Sequence, residues 1–309
     1  MQANIAATKQ LIRDEALRLG FSDIGFAKVE KLEEDEQHLK TWLDKGYHAD
    51  MAYMANHFEK RLDPALLVDG AKTVVSVLLN YKPKELQKDP EAPKLARYAY
   101  GKDYHFVIKD KLQDLFDYIQ REIYPDLDGR LFTDSAPLLD RAWAVKSGLG
   151  WIGKNTNLLH KKLGSFVLIG ELIINLELEP DTPIKDACGG CQRCIDACPT
   201  KALIGPYQLD SNKCISYLTI EHRDDIPEEF KGQMENWAFG CDICQEVCPW
   251  NWKARPTKEP EFTPHADLLL LSKDDWHNME LDQFQEVFRK SALKRTKYKG
   301  LKRNLDFLK

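Results

Sequence analysis

Cys188-Gly-Gly-Cys191-Gln-Arg-Cys194-Ile-Asp-Ala-Cys198-Pro199 is the stretch on which the reading of this chain turns. Three cysteines at two successive x2 spacings can wrap three thiolates around one iron-sulfur cube. The fourth, three residues on and followed by a proline that turns the chain away, serves another cube. Further along, Cys241-Asp-Ile-Cys244-Gln-Glu-Val-Cys248-Pro249 repeats the pattern, with its first member displaced upstream to Cys214. The cross-over rule assigns Cys188, Cys191, Cys194 and Cys248 to one 4Fe-4S cluster, and Cys198, Cys214, Cys241 and Cys244 to a second. Four-cysteine zinc sites usually pair separated Cys-x2-Cys knuckles, which these two runs do not resemble.

All eight cysteines of the 309-residue chain fall between Cys188 and Cys248. The N-terminus lacks both the charged start with an apolar run of a secretory signal and a twin-arginine leader, so the expected compartment is the reducing cytoplasm, where disulfides are rare and metal ligation leads. The most apolar segment, Phe166 to Leu178, is broken by Glu171 and Asn175 and is too short to span a bilayer; it reads as a buried strand, and no membrane partner is expected. With 43% hydrophobic and 30% charged residues the chain has an ordinary globular composition. Its formal net charge of −5 is uneven: Arg289 to Lys309 holds nine basic residues against Asp306 alone, leaving the remainder near −13. Such a tail suits either a polyanionic partner or a solvated helix face.

Apolar positions at Leu11, Ile12, Ala16 and Leu19 predict a helix ended by Gly20, followed by a strand over Asp23 to Val29. Thr73 to Leu79, a continuous valine-rich run, predicts a strand covered on both faces. Tyr98 to His105 reads as a polar and aromatic loop before a helix over Phe106 to Ile123, and Leu131 to Thr133 as a short strand. A helix should then run to Lys146, closed by Gly148, with strands at Thr156 to His160 and Ser165 to Leu178. The expected fold class is α+β: an α/β domain over 1–178, a double-cluster bacterial ferredoxin-like domain over 179–255, and a basic helical tail over 256–309.

A pair of clusters moves electrons and does no substrate chemistry, so a partner site is expected in residues 1–178. Gly148-Leu-Gly150-Trp-Ile-Gly153 is a literal G-x-G-x-x-G, but it follows a helical stretch and begins an extended run, which fails the logic of a dinucleotide fingerprint. It reads instead as a helix C-cap and a loop whose bare backbone can approach a large cofactor. Asp134 follows a predicted strand. Either it or Ser135 caps the next helix, or Asp134 is an acid held near a cofactor; both readings stay open. His57 and His105 are candidate metal ligands beside the commoner structural role. The cobalamin signature Asp-x-His-x-x-Gly starts at Asp103-Tyr-His105 but has Ile108 where glycine is required, so a corrinoid would have no histidine ligand from that motif.

Five blocks resemble a known family, the epoxyqueuosine reductases of tRNA modification, over nearly the whole chain. They are Arg97-Tyr-Ala-Tyr-Gly-Lys-Asp-Tyr-His105, Asp134-Ser-Ala-Pro-Leu-Leu139, Gly148-Leu-Gly-Trp-Ile-Gly-Lys154, Cys214-Ile-Ser-Tyr-Leu-Thr-Ile-Glu221 and Gly240-Cys-Asp-Ile-Cys-Gln-Glu-Val-Cys-Pro-Trp-Asn251. The resemblance implies a cobalamin enzyme with two 4Fe-4S clusters that reduces epoxyqueuosine to queuosine at the tRNA wobble position. It implies a first domain similar to the cobalamin domain of reductive dehalogenases, related to the nitroreductase fold. Asp134 would be the proton donor, the eight cysteines the cluster ligands, and His57, Arg97, Asp134, Gly150, Gly153, Lys154, Asn155 and Asp242 the cofactor contacts.

Many members carry a helical-repeat domain beyond this point, whereas this chain stops soon after Asn304, so the basic tail is a candidate substitute in tRNA binding. Tyr100, Tyr104 and Trp143 are candidates for stacking on a splayed base, though each also suits a core. The expected partners are tRNA carrying epoxyqueuosine and a low-potential electron donor such as a flavodoxin or ferredoxin, acting on a monomer. Two rival readings are another corrinoid reductase of the dehalogenase kind and an iron-sulfur electron carrier without catalysis of its own.

Overall fold

The structure, a computed structural model, describes residues 2–309. Its centre is a four-stranded antiparallel sheet built from Asp23–Lys28 (β1), Thr73–Asn80 (β2), Gly129–Phe132 (β3) and Val167–Ile174 (β4), in the spatial order β1-β2-β4-β3. Every residue of β2 is buried, because both of its edges are paired and both faces are covered. On one face, Ile12 and Ala16 of helix Gln2–Arg18 and Ile108, Leu112 and Leu115 of helix Tyr104–Glu122 pack on Val75, Val77 and Leu172. On the other, Trp143 of helix Asp140–Lys146 packs with Val74, Phe132 and Ile173.

Two local departures from the sequence reading move functional residues. The helix expected from Phe106 starts at Tyr104, since the Asp103 side chain accepts the His105 N–H at 3.0 Å and so caps it; Tyr104 and His105 therefore stand in its first turn. The helix expected directly after Asp134 starts only at Asp140, and neither Asp134 nor Ser135 caps it. Asp134 instead adopts a left-handed backbone, φ 51°. The extended run after the glycine-rich turn shortens to Leu158–Leu159, which pairs with Trp151–Ile152.

The cysteine-bearing region has little regular structure; its two runs each hold a four-residue helix, Arg193–Asp196 and Ile243–Glu246. It is stitched to the first half of the chain by strand Trp237–Phe239, which pairs in parallel with Lys94–Leu95. Asp181 adds a second tie, accepting from Lys9 at 2.8 Å, Arg13 at 3.0 Å and the Phe26 N–H at 3.1 Å. Among the described residues, no helix is long and apolar enough to cross a membrane.

The tail is packed, not appended. Trp276, Phe284, Phe288, Leu301 and Leu305 share a core with Leu95, Tyr100 and Phe239. Apart from Lys309, which pairs with Asp306, its cations divide into two groups. Arg303 donates to the carbonyls of His222, Asp224 and Leu218, Lys302 to that of His277, and Arg295 pairs with Glu221. Arg289, Lys290, Lys294, Lys297 and Lys299 are exposed. The buried Asn304 amide reaches the carbonyls of Thr219 and Ala238, each at 2.8 Å. Asn304→Ala removes the amide from the Ala238 carbonyl and leaves that of Thr219 only the Thr296 hydroxyl at 3.3 Å, and should cost about 1–3 kcal/mol in urea unfolding; an unchanged midpoint would show that the tail is not fastened there.

Candidate functional site

The eight cysteines are all free thiols and fall into two groups in space. Cys188, Cys191, Cys194 and Cys248 line a small cavity of about 50 Å³, together with Lys154, Arg193 and Trp250. Cys198, Cys214, Cys241 and Cys244 line one side of a much larger cavity of about 890 Å³. The two runs thus exchange their final cysteines, Cys248 joining the first group and Cys198 the second.

The donor chemistry suits iron-sulfur cubes. A single tetrahedral metal would draw four sulfurs to within about 3.8 Å of one another. Among the described residues, no three His, Cys, Asp or Glu side chains converge in that way; each set of sulfurs borders a space instead. Burial pushes the Cys241 and Cys244 thiols far above their ordinary range, and the neighbouring thiol Cys214 adds to it. Thiolates at these positions need a bound cation to exist, which a cluster supplies.

Neighbouring residues shape both sets. Lys154 Nζ donates to the carbonyls of Gly189 at 2.6 Å and Cys191 at 3.0 Å, which fixes the first loop. Asn155 lines both cavities and donates to the Cys244 carbonyl at 3.3 Å. Gly240 enters the second run at φ 67°, and a Cβ there would stand 2.4 Å from that of Ala96, so only glycine fits. Asp242 is buried, and burial raises its carboxyl to about 6 even though it accepts the Arg97 N–H at 2.9 Å.

Asp134 lies on the wall of the large cavity. It accepts a hydrogen bond from the Tyr104 hydroxyl at 2.5 Å, and His105 Nε2 stands 3.8 Å away. Burial and the Asp134 charge push Tyr104 far above its usual range, so it stays protonated and donates. His105 is turned by Asp103, whose Oδ1 lies 2.7 Å from Nδ1. Tyr53, Tyr98, Asn157, Arg141 and the Glu221–Arg295 pair complete the wall.

The cavity does not collect every residue expected there. His57 is exposed on a left-handed backbone at the start of a short helix, outside the lining. The Arg97 side chain is engaged by Glu246 at 2.5 Å and lies over the Phe166 ring; only its backbone N–H serves Asp242. Gly150 and Gly153 are bare for another reason: a Cβ on Gly150 would meet the Leu159 carbonyl oxygen at 2.1 Å, and one on Gly153 the Leu159 side chain at 2.6 Å. Their free faces receive the hairpin partner rather than a ligand. Trp143 is fully buried beneath the sheet and Tyr100 is buried in the tail core, so only Tyr104 of the three proposed stacking residues reaches the cavity.

Sequence reasoning missed a buried polar brace. Gln245 Oε1 accepts from Ser165 Oγ at 2.8 Å and Tyr81 Oη at 3.2 Å, while Asn251 bonds Ser165 and the Gln245 carbonyl. Its only sequence signal is polar residues flanking ligand cysteines.

A family model described as "4Fe-4S double cluster binding domain" matches residues 187–251, and one described as "Epoxyqueuosine reductase QueG, DUF1730" matches residues 61–135. An epoxyqueuosine reductase of Cellulophaga algicola is 57% identical over 299 residues, covering 97% of each chain. The chain belongs to the epoxyqueuosine reductase family. A member from Pseudomonas aeruginosa is 44% identical, covering 97% of this chain and 84% of its own. The crystal structure of an epoxyqueuosine reductase with a tRNA-Tyr epoxyqueuosine-modified tRNA stem loop matches with a TM-score of 0.92 at 31% identity, covering 98% of this chain and 81% of that one. As an epoxyqueuosine reductase, this chain is an oxidoreductase of α+β fold carrying a double 4Fe-4S domain.

The exchanged cysteines give a test by iron content and electron paramagnetic resonance of the reduced protein. Cys188→Ala, Cys248→Ala and the double variant should each lose the same one of two signals and about half the iron. Cys188→Ala with Cys241→Ala should lose both. Loss of both signals in the Cys188/Cys248 double variant would contradict the grouping.

Proposed function

We propose that this chain reduces epoxyqueuosine to queuosine at the wobble position of tRNA, with cobalamin held in the large cavity and Asp134 as proton donor. The observation that carries the reading is that one cavity is lined at once by four cluster cysteines, by Asp134 and by buried tyrosines. Its volume, about 890 Å³, lies at the upper end of the range for ligand sites. Cobalamin, when bound, supplies a cobalt centre able to pass an electron pair to carbon. Tyr98, the Asn155–Leu158 segment and Asp242 would hold it, and Lys154 would act indirectly by fixing the loop of the first set.

The chain sets the direction of electron flow. Cys191 is exposed beside Gly189 and Gly190, which have open space around them, so the first set faces a low-potential donor such as a flavodoxin or ferredoxin. The second set faces the cavity. The short helices of the two runs, Arg193–Asp196 and Ile243–Glu246, pack against each other, which places the two sets side by side. Removing an epoxide oxygen consumes two electrons and two protons and releases water. Tyr104 aims the Asp134 carboxyl, and the left-handed backbone presents it to the cavity. Protonation of the leaving oxygen there is general-acid catalysis, typically about 10²- to 10⁴-fold.

Binding of tRNA falls to the exposed cations. Arg289, Lys290, Lys294 and Lys297 line a groove of about 970 Å³, and Lys294 also lines the cavity, so the basic track leads to its mouth. We place the protein, as a monomer, in the cytoplasm with its substrate.

Asp134→Asn, loaded with cluster and cobalamin as the wild type, should lose at least about 100-fold in turnover by nucleoside analysis of epoxyqueuosine-containing tRNA; full turnover would refute the donor role. Reversing Lys290, Lys294 and Lys297 to Glu should weaken tRNA binding and flatten its salt dependence, whereas an unaltered slope would leave these cations as solvated surface.

A further inference from the structure

The first set of cysteines is open at one edge, and residues joined directly to its ligands form the surface there. Cys188, Cys191 and Cys194 border the small cavity, and at Gly189 and Gly190 between them nothing stands within 4 Å of where a side chain would begin. Arg193 immediately precedes Cys194 and lies over the ring of Trp252, 4.9 Å from its centroid. Trp252 ends the short helix Pro249–Trp252, which follows the fourth ligand, Cys248, and it is 60% exposed. Trp250 turns the other way, against the buried Trp151 at 4.8 Å. Lys82 fastens this turn by donating to the carbonyls of Asn251 at 3.1 Å and Ala254 at 2.6 Å, so Trp252 projects from a fixed support. An exposed tryptophan under a guanidinium has the chemistry of an interface anchor.

The charge around it is one-sided. Arg193, Lys253 and Arg255 are exposed, and so are Lys161 and Lys162, whose turn closes on Asn251 through Gly164 and Ser165. Among the described residues, none of these five cations forms an ion pair. Of the acids beside the cluster ligands, Asp186 accepts from the Cys188 N–H at 2.6 Å and from the Tyr207 hydroxyl, Glu246 pairs with Arg97, and Asp242 is buried, which leaves Asp196. A chain of formal net charge −5 keeps its first set behind unpaired cations.

We propose that this face is the docking surface for a small acidic one-electron carrier protein, which seats an apolar patch on Trp252 and carboxylates on the surrounding cations. The inference rests on the reading of the first set as the point of electron entry, and goes beyond it in naming the surface and the charge of the partner. Arg193 and Trp252 belong to the same short stretches of backbone as the ligands, so a redox centre held against them is close to the first iron-sulfur centre. One electron leaves the carrier for that centre; the carrier is oxidised by one electron, the centre is reduced, and no bond or proton moves. A small interface steered by charge gives the fast arrival and fast release that such an exchange needs. RNA is the weaker candidate for these cations. The groove leading to the large cavity shares no lining residue with the small cavity beside this face, and phosphates gain nothing from being placed on the first set.

The test uses the full-length chain with both clusters assembled, and reduced flavodoxin as the probe in anaerobic stopped flow. Trp252→Ala, and separately Lys253→Glu combined with Arg255→Glu, should slow second-order reduction at low salt by about ten-fold or more, and the reversals should also flatten its dependence on ionic strength. Reduction by dithionite, which needs no docking, should keep its wild-type rate, and iron content and tRNA affinity should be unchanged. Wild-type reduction by flavodoxin in both variants would overturn the docking surface, and equal slowing by dithionite would do the same. Loss of tRNA affinity in the reversals with the flavodoxin rate intact would make this an RNA surface instead. Cys188→Ala separates the two ideas. If flavodoxin reduces its remaining cluster at the wild-type rate, the entry reading itself fails; if that reduction is slow while the Trp252 and charge variants are normal, the docking surface alone fails.

Discussion

The eight thiols gather in two sets of four, and burial alone would keep the deepest of them protonated. Iron supplies the positive charge that lets them ionise, and the fold must hold the sulfurs around each space before that charge arrives. The two runs can do this only by trading their last cysteines. Each site is consequently built from parts of the chain some fifty residues apart. Much of the architecture serves this convergence. Gly240 lets the second run pass Ala96, Lys154 and Asn155 hold the loop carbonyls, and Gln245, Asn251 and Ser165 brace the module against the sheet domain. A half-satisfied network of this kind would be worse than an apolar contact, and here its members bond one another.

What was legible in the sequence follows from how local each signal is. The cysteine spacing is a constraint on one short loop, so the ligand groups could be read without knowing the fold. The valine-rich run at Thr73 was legible because a strand paired and covered on all sides needs apolar side chains at consecutive positions. Asp134, Asp242 and Tyr104 were singled out in the sequence, but their placing around one cavity was not legible there. Tyr104 gains its place from a cap at Asp103 that starts the helix two residues early, and Asp134 stands on the cavity wall with a left-handed backbone that no pattern announces. The glycine-rich turn misled in a more specific way. Its glycines are bare because Leu159 of the returning hairpin arm presses on them, and sequence alone does not say which neighbour occupies the space a missing side chain leaves.

Charge counting had a similar limit. Nine cations near the C-terminus read as one basic tail, yet Arg295, Lys302 and Arg303 are engaged by Glu221 and backbone carbonyls, and Arg295 and Arg303 thereby fasten the helices to the cysteine module. Arg303 can do this because its planar fork reaches several carbonyl oxygens at once. Of the five outward cations, Arg289, Lys290, Lys294 and Lys297 lie along the groove that shares Lys294 with the cavity. Structural and electrostatic roles are therefore divided among neighbouring residues of one helical segment.

The unequal exposure of the two thiol sets carries a further consequence. Cys191, Gly189 and Gly190 lie open to bulk water, whereas the inner set lines the wall of a cavity and none of its cysteines is exposed. Dioxygen and chelators meet the outer metal centre first. In air, the chain should fail from the outside inward, losing the outer centre while the inner one is still intact.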